Sequence, residues 1–192
     1  MVEMGTAERI ASAALAILLE EGAQAVTMRR VAAAAGVTAM ATYRHYPNRE
    51  ALLHTVVDAA YADLAKDWGK RCEVLDFEGR FDGALDDFLD FALGKPNLYT
   101  FLITERRQDA RRFPEDFREG GPPAFTPVLK AVEQGMREGV LRSDDCLEAT
   151  LAITMPVVGL VQLYLGDRVN LSEHDFRALC KRTTERVLNG LR

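Results

Sequence analysis

The sequence predicts an all-α protein of about nine helices, and three observations lead to this fold class. Apolar residues recur at spacings of three and four along most of the chain, which is the period of an amphipathic helix. These segments begin at side chains that cap helices and end at glycine or proline. No segment alternates apolar and polar residues as a half-buried strand does. Hydrophobic residues make up 48% of the 192 residues, so the helices can enclose a substantial core.

The first fifty residues predict three short helices followed by a long fourth one. Gly22 and Gly36 stand where helices end, because glycine readily adopts the conformations found just beyond a helix C-terminus. Thr38 can cap the third helix and Asn48 the fourth, since both side chains accept hydrogen bonds from free N–H groups. Pro47 separates these two helices. The four helices are expected at residues 7–21, 28–35, 38–46 and 49–71.

Five further helices are predicted in the rest of the chain. An apolar stripe follows Gly79, and Pro96 suits the first turn of the next helix. Residues 107–123 are predicted to form a loop, because charged residues are followed there by glycine and proline pairs. Ser172 followed by Asp175 resembles a capping box. The helices are expected near residues 81–92, 96–102, 124–138 and 172–187, and the eighth is expected to follow Ser143-Asp144 and to contain residues 149–166.

The eighth predicted helix carries no charge between Ala149 and Gly166, a length near the lower limit for a membrane span. Pro156, Gly159 and Gln162 interrupt this stretch, and neither an aromatic belt nor a basic cluster frames it. We therefore expect no contact with a membrane. A helix buried on most of its sides, in a core or at a subunit interface, is the better interpretation.

Charge and cysteine usage narrow the function classes. The net charge of −5 argues against a protein that coats nucleic acid or membranes by charge alone, although the first fifty residues are neutral in sum. Cys72, Cys146 and Cys180 are scattered and odd in number, which predicts neither a disulfide framework nor a zinc site. Glu3 and Glu8 stand where a signal peptide needs positive charge, so a cytoplasmic location is expected.

Residues 27–53 have the physical features of two short helices held at a fixed angle by a tight turn. Ala32 is small enough to let a second helix approach, and Gly36 can supply the positive φ that reverses the chain. Val31 and Val37 are placed to fill the junction. This is the construction of a helix-turn-helix, whose second helix enters the DNA major groove. An ordinary helical hairpin fits the same pattern.

The spacing of this segment resembles the N-terminal domain of the TetR family of transcriptional regulators. That family's pattern is T-x-x-x-[VI]-A-x-x-A-G-V-[ST], then an aromatic cluster, then P-x-[KR]-E-x-L-L, and the resemblance spans residues 7–55. It implies an N-terminal helix-turn-helix domain at 1–47 and an effector-binding and dimerisation domain at 48–192. The matching residues are Thr27, Val31, Ala32, Ala35, Gly36, Val37, Thr38, Tyr43, His45, Tyr46, Pro47, Arg49, Glu50, Leu52 and Leu53.

The resemblance implies double-stranded DNA as a partner. Arg44 would reach guanine, while Met40 and the methyl groups of Ala39 and Thr42 would touch thymine methyls. Thr42 stands where the family usually has a buried Leu, so a place in the core remains open, and for Tyr46 packing against the first helix is favoured. The other contacts would go to phosphates. The expected DNA-binding residues are Thr27, Arg29, Thr38, Ala39, Met40, Thr42, Tyr43, Arg44, His45 and Arg49.

The resemblance also implies a ligand cavity and a homodimer in the C-terminal part. Aromatic residues concentrate between positions 68 and 125, which suits a cavity for a small apolar or amphipathic effector, although each one alone more often fills a core. Predicted helices 8 and 9 would form the dimer interface, where Ala149, Ala152 and Gly159 permit close approach. Effector binding would then change the spacing of the two heads on a near-palindromic operator. The expected ligand-binding residues are Trp68, Phe81, Phe88, Phe101 and Phe125.

Other function classes find less support. Motifs of nucleophilic, phosphate-binding and zinc-protease enzymes are missing from the sequence, which predicts neither an enzyme nor a cofactor. His54 and Asp58 lie four residues apart on one helix, a spacing that more often gives a surface contact than a metal site. Glu105, Arg106 and Arg107 would supply a polar anchor for a ligand or simply a solvated helix end. A protein-interaction module built on the same hairpin is the remaining alternative.

Overall fold

The computed structural model describes residues 5–68, 76–108, 110–118 and 121–192, and within these ranges it contains helices and turns but no strand. The predicted all-α class is therefore confirmed. A 3₁₀ turn spans Ala23–Ala25 and a π-helical turn spans Thr100–Thr104. The helices are α1 (Thr6–Glu21), α2 (Met28–Ala34), α3 (Ala39–His45), α4 (Arg49–Asp67), α5 (Phe77–Gly94), α6 (Pro96–Tyr99), α7 (Glu115–Arg118), α8 (Thr126–Arg137), α9 (Cys146–Leu165) and α10 (Glu173–Leu191).

Most helix bounds lie within a few residues of the predictions, and two segments differ in kind. The predicted sixth helix is a short α6 that continues into the π-helical turn, and the one-turn α7 lies inside the predicted loop. Predicted helices 8 and 9 correspond to α9 and α10. Cys72 and the predicted end of the fourth helix at residues 69–71 lie outside the described residues.

The chain divides into two compact units. The first unit consists of Met1–Asp63 together with Lys95–Ala110, and the second consists of Leu64–Gly94 together with Arg111–Arg192. Helix α4 passes from the first unit into the second after Asp63. The predicted boundary at residue 47 separates a DNA-binding domain from an effector-binding and dimerisation domain, and it stays a prediction.

The core of the first unit is built on α1. Ile10, Leu18 and Val31 are fully buried, and the α4 residue Leu52 is buried with them. Helix α1 contacts α2, α3 and α6. Asn97 in α6 donates its side-chain N–H to the carbonyl of Leu19 at 3.0 Å, which ties the returning segment to the end of α1. The first unit is therefore held together by contacts between segments that lie far apart in the sequence, α1 and α6.

Four predicted helix ends are observed. Thr38 caps α3 by accepting a hydrogen bond from the Ala41 N–H at 3.1 Å, and Asn48 accepts one from the Ala51 N–H at 2.8 Å. Gly36 has φ +65°, a conformation that is strained for any residue with a Cβ atom, and Gly22 has φ +84°. These ends were predictable because each depends on the chemistry of one residue and its immediate neighbours.

The second unit encloses a core shared by four helices. Phe81 of α5, Val132 of α8, Ile153 of α9 and Leu188 of α10 belong to one cluster of buried residues. Around this core, charged side chains link α5 to α10, including Arg177 to Asp90 at 2.8 Å, Lys181 to Asp86 at 3.2 Å and Arg192 to Glu78. Ser172 caps α10 by accepting a hydrogen bond from the Asp175 N–H at 3.1 Å, in agreement with the predicted cap.

One side of α9 is open to solvent in the protomer. The helix is long and apolar enough to pass for a membrane span by length and composition, with a mean hydropathy of 1.7, yet only 28% of that window is buried. The protomer alone therefore does not bury this helix on most of its sides, and the predicted burial at a subunit interface stays a prediction. Ala149, predicted at the interface, is buried in the protomer's own core. The exposed residues form a stripe, which we call the α9 stripe, of Ala152, Met155, Gly159, Gln162 and Leu163.

Candidate nucleic-acid interface and ligand cavity

Helices α2 and α3 are held at a fixed angle by the turn between them. The Val37 N–H donates to the Ala32 carbonyl at 3.0 Å, and both Val31 and Ala32 are buried in the junction. Arg9 of α1 donates to the carbonyl of Ala35 at 2.5 Å, which ties the end of α2 to α1. This arrangement has the geometry of a helix-turn-helix, as the sequence predicts.

The outward side of α3 carries the candidate base-reading residues. Met40 is 72% exposed and Tyr43 is 51% exposed, and Ala39, Arg44 and His45 are exposed as well. Exposed Met and Tyr side chains on a short helix have little else to pack against in the described chain. A helix that presents such residues outward offers apolar contacts for thymine methyls and one arginine for guanine.

Thr42 does not belong to this exposed surface. Its side chain is fully buried, and its hydroxyl donates to the Thr38 carbonyl at 3.4 Å. The structure therefore corrects the expectation that Thr42 contacts a base, and supports its alternative place in the core. The reason is the helical period: Thr42 lies on the side of α3 that faces α1 and α2, whose packing against α3 the structure shows.

The residues at the start of α2 and α3 are exposed. Thr27 accepts a hydrogen bond from the Arg30 N–H at 3.3 Å, and the hydroxyl hydrogens of Thr27 and Thr38 remain able to donate to a phosphate. Arg29 is exposed beside them. Arg30, in contrast, binds Glu21, and this hydrogen bond holds the pKa of the Glu21 carboxyl below its ordinary value. Arg29 is thus the arginine of α2 that is available to DNA.

Arg49 occupies a different place from the one expected. Its guanidinium donates to the carbonyls of Val26 at 2.7 Å and Ala23 at 2.6 Å, so it fastens the start of α4 to the turn that precedes α2. The structure therefore shows an internal role for Arg49, while the expected phosphate contact stays a prediction, because three of the five guanidinium N–H donors are not used in these two bonds. The sequence gives no local sign of this internal role, because Ala23 and Val26 lie more than twenty residues before Arg49.

Tyr46 packs against α1, as the favoured interpretation held. Its hydroxyl donates to the Ala7 carbonyl at 3.2 Å, and burial raises the pKa of Tyr46, so the hydroxyl stays protonated. Tyr46→Phe removes the hydroxyl that makes this hydrogen bond and a second one with Thr55, and we expect a loss of about 1–2 kcal/mol in the free energy of unfolding. Urea unfolding measures it. Tyr43→Phe is the matched control, with a change within about 0.5 kcal/mol because Tyr43 is exposed. Equal losses in the two variants would contradict the assignment.

A cavity of about 550 Å³ lies within the first unit. The first turns of α4 form one wall, and the segment after the π-helical turn forms another. Its ionisable groups are three arginines, one histidine and two glutamates. The lining residues are Gln24, Asn48, Arg49, Glu50, Ala51, Leu53, His54, Val57, Phe101, Glu105, Arg106, Arg107 and Gln108. His54 and Asp58, considered above as a metal pair, form a surface contact at 3.0 Å in which both side chains are more than half exposed.

The five aromatic residues expected at the ligand site are divided between the units. Phe101 lines the cavity of the first unit. In the second unit, Phe81 is buried in the core cluster, Phe125 packs edge-on against Phe117 with ring centroids 4.9 Å apart, and Trp68 contacts Phe91 at 5.5 Å. Phe88 is also in the second unit and partly buried. For Phe81 and Phe125 the structure supports the core role that single aromatic residues more often have.

Family models match both parts of the chain. Residues 10–56 match the model described as bacterial regulatory proteins, tetR family. Residues 82–187 match the model described as tetracyclin repressor-like, C-terminal domain, which alone covers more than half of the chain. The chain belongs to the TetR family. It is a ligand-responsive transcriptional regulator with a DNA-binding helix-turn-helix, and proteins of this family act by binding DNA rather than by catalysis.

Solved structures of TetR-family proteins share the fold. FadR from Bacillus subtilis in complex with stearoyl-CoA is 18% identical, with a TM-score of 0.73 over 96% of this chain and 98% of that one. PfmR from Thermus thermophilus is 17% identical, with a TM-score of 0.66 over 99% of each chain. The flavonoid-responsive regulator FrrA is 26% identical, with a TM-score of 0.64 over 96% of each chain. No curated protein sequence matches this chain.

Proposed function

We propose that this TetR-family protein is a cytoplasmic repressor that binds a near-palindromic operator as a homodimer and is released by a small apolar or amphipathic effector. Residues 1–47 read the DNA, and residues 48–192 bind the effector and form the dimer. The observation that carries the proposal is the exposed outer side of α3, with Met40 72% and Tyr43 51% exposed on a helix whose other side is buried. Repression and dimerisation are typical of the family.

The α9 stripe supports dimerisation through α9 and α10. A soluble protein rarely leaves a continuous apolar helix side in water, and a second copy is the simplest cover for it. Gly159 has open space where a Cβ atom would stand, so a partner helix can approach its backbone closely. An isologous interface of this kind places the two α3 helices in a two-fold arrangement, and the operator then has the same symmetry.

The effector proposal rests on cavity chemistry and on two of the related proteins. FadR from Bacillus subtilis binds stearoyl-CoA and FrrA responds to flavonoids, both of which combine apolar and polar parts. In this chain the cavity of the first unit combines Phe101 and Leu53 with arginine side chains. Such a mixture accepts an amphipathic molecule.

Selection of random DNA duplexes on the purified protein, followed by titration across salt, tests the proposal. We expect one enriched near-palindrome whose binding weakens steeply with salt, because phosphate contacts release counterions. Tyr43→Ala should weaken binding to that duplex by about tenfold or more, since the loss of one contact acts twice in a dimer. Leu171→Ala, an exposed apolar change outside the head, is the control. A folded dimer that enriches no sequence would refute the proposal and favour a protein-interaction module.

A further inference from the structure

The cavity of the first unit lies against the segment that holds the helix-turn-helix. Its lining includes Gln24 in the 3₁₀ turn before α2 and Arg49 at the start of α4. Arg49 donates to the carbonyls of Ala23 and Val26, at the start of this turn and just after its end. A molecule in the cavity therefore touches the side chain that fixes the approach to α2.

Arginine side chains outnumber glutamates in the lining of this cavity by three to two. Within the described part of the chain, no carboxylate lies within ion-pair distance of Arg49 or Arg106, and the partners of Arg49 are neutral carbonyls. Arg106 is exposed on the rim. A carboxylate or phosphate that reaches these guanidiniums gains charge-assisted hydrogen bonds, which are stronger than those of neutral groups. Glu50 and Glu105 lower the net charge of the lining without pairing with these arginines.

Apolar surface lies beside these charges. Phe101 is buried and forms the floor together with Leu53 and Val57, and the Arg107 guanidinium stands over the Phe101 ring at 5.2 Å. The volume of about 550 Å³ falls in the range of about 300–1,000 Å³ found for small-molecule sites. The lining thus offers a positive end and an apolar end to one molecule.

We propose that this cavity binds an amphipathic anion, with its acidic group on the arginines and its apolar part on Phe101, Leu53 and Val57. The proposal rests on the proposed function, because it assigns the effector's chemical class and the place where it acts. Of the five aromatic residues that the sequence analysis expected at the ligand site, Phe101 lines this cavity and the other four do not. An acidic group bound to Arg49 competes with the carbonyls of Ala23 and Val26 for its N–H donors, which loosens the turn before α2. Ligand binding thereby changes the position of α2 and α3 and weakens DNA binding.

Octanoate, 1-octanol and octylammonium are suitable probes, because they share one alkyl chain and differ in charge. Isothermal titration of the full-length protein should give octanoate affinity about tenfold or more above that of 1-octanol, and the cation should bind more weakly still. Arg106→Gln should lower the affinity for octanoate and leave that for 1-octanol unchanged. Equal affinities for the three probes would overturn the assignment of an anion.

Filling the cavity provides a second test. Ala51→Leu adds bulk to the lining at a helical position, and we expect octanoate affinity to fall about tenfold or more. Ala62→Leu makes the same change on the exposed side of α4, outside the lining, and should bind octanoate as the parent protein does. Circular dichroism confirms that both variants are folded. Unchanged octanoate binding in Ala51→Leu would overturn the site.

Operator binding is measured on the same proteins without ligand, so the two proposals fail separately. Octanoate should weaken operator binding of the parent protein and of Ala62→Leu, but not of Ala51→Leu. Octanoate binding that leaves operator affinity unchanged would overturn the link through Arg49 while the site stands. A protein that binds octanoate but no DNA sequence would overturn the proposed function alone.

Discussion

Aspartate in place of both Met155 and Leu163 is expected to convert the dimer into monomers and to weaken operator binding by about a hundredfold or more. Both side chains are 45% exposed in the protomer, on the α9 stripe. A carboxylate that becomes buried at an apolar interface without a partner loses its hydration, which opposes association. A monomer then binds one half-site at a time. It loses the increase in affinity that comes from linking two binding modules, which is about 10²–10⁴-fold.

Analytical ultracentrifugation and operator titration measure the two effects together. Val140→Asp, at another exposed apolar position outside α9 and α10, should remain dimeric. Gly159→Leu separates folding from association, because open space surrounds the missing Cβ atom in the protomer while a partner helix would be blocked. We expect it to fold and to dissociate. A double aspartate variant that stays dimeric at micromolar concentration would show that the interface lies elsewhere.

The features that the sequence predicted well are those that depend on near neighbours. The helix period, the caps at Thr38 and Asn48 and the positive φ of Gly36 are each decided within four residues. The helix-turn-helix was predictable for the same reason, because its spacing fixes the turn and the small residues of the junction. Family models confirm this part of the prediction.

Features that depend on distant contacts were not predictable. The sequence predicts a phosphate contact for Arg49 at the start of a helix, but it gives no sign that this side chain also binds the carbonyls of Ala23 and Val26. Phe101 joins the first unit because residues 95–110 return to α1, where Asn97 binds Leu19. No local pattern indicates this return. The concentration of aromatic residues in one stretch of sequence therefore gave no sign that Phe101 belongs to the first unit and the other four expected ligand-binding residues to the second.

The solvent exposure of one side of α9 was not predicted, for a reason other than distant contacts within the chain. Its sequence carries no charge over 18 residues, which predicts burial on most sides in a core or at a subunit interface, whereas the protomer alone buries 28% of the apolar window. Residues such as Ala149 and Val161 face the protomer's core, whereas Met155 does not. Periodicity cannot separate a side buried by the same chain from a side buried by a second copy, because both are apolar. The structure of one protomer makes the distinction.

Arg44→Ala is expected to weaken binding to the selected operator by between about 30-fold and about 25,000-fold, because one guanine contact worth about 1–3 kcal/mol is lost in each half-site. Arg44 is exposed near the end of α3, and it is the arginine of a recognition helix whose other exposed residues include Met40 and Tyr43. DNA sequences selected with Arg44→Ala should show no base preference at one position in each half-site. The remaining positions should keep theirs, since apolar contacts to thymine do not involve Arg44.

Arg44→Lys distinguishes base reading from simple attraction to phosphate. Lysine keeps the positive charge but not the planar pair of donors that matches a guanine edge. A base contact therefore predicts that Arg44→Lys relaxes the same position as Arg44→Ala while the dependence of affinity on salt stays close to that of the parent protein. If lysine instead restored full affinity and left the preferred sequence unchanged, Arg44 would act on the backbone, and operator choice would depend on Met40, Tyr43 and the shape of the DNA.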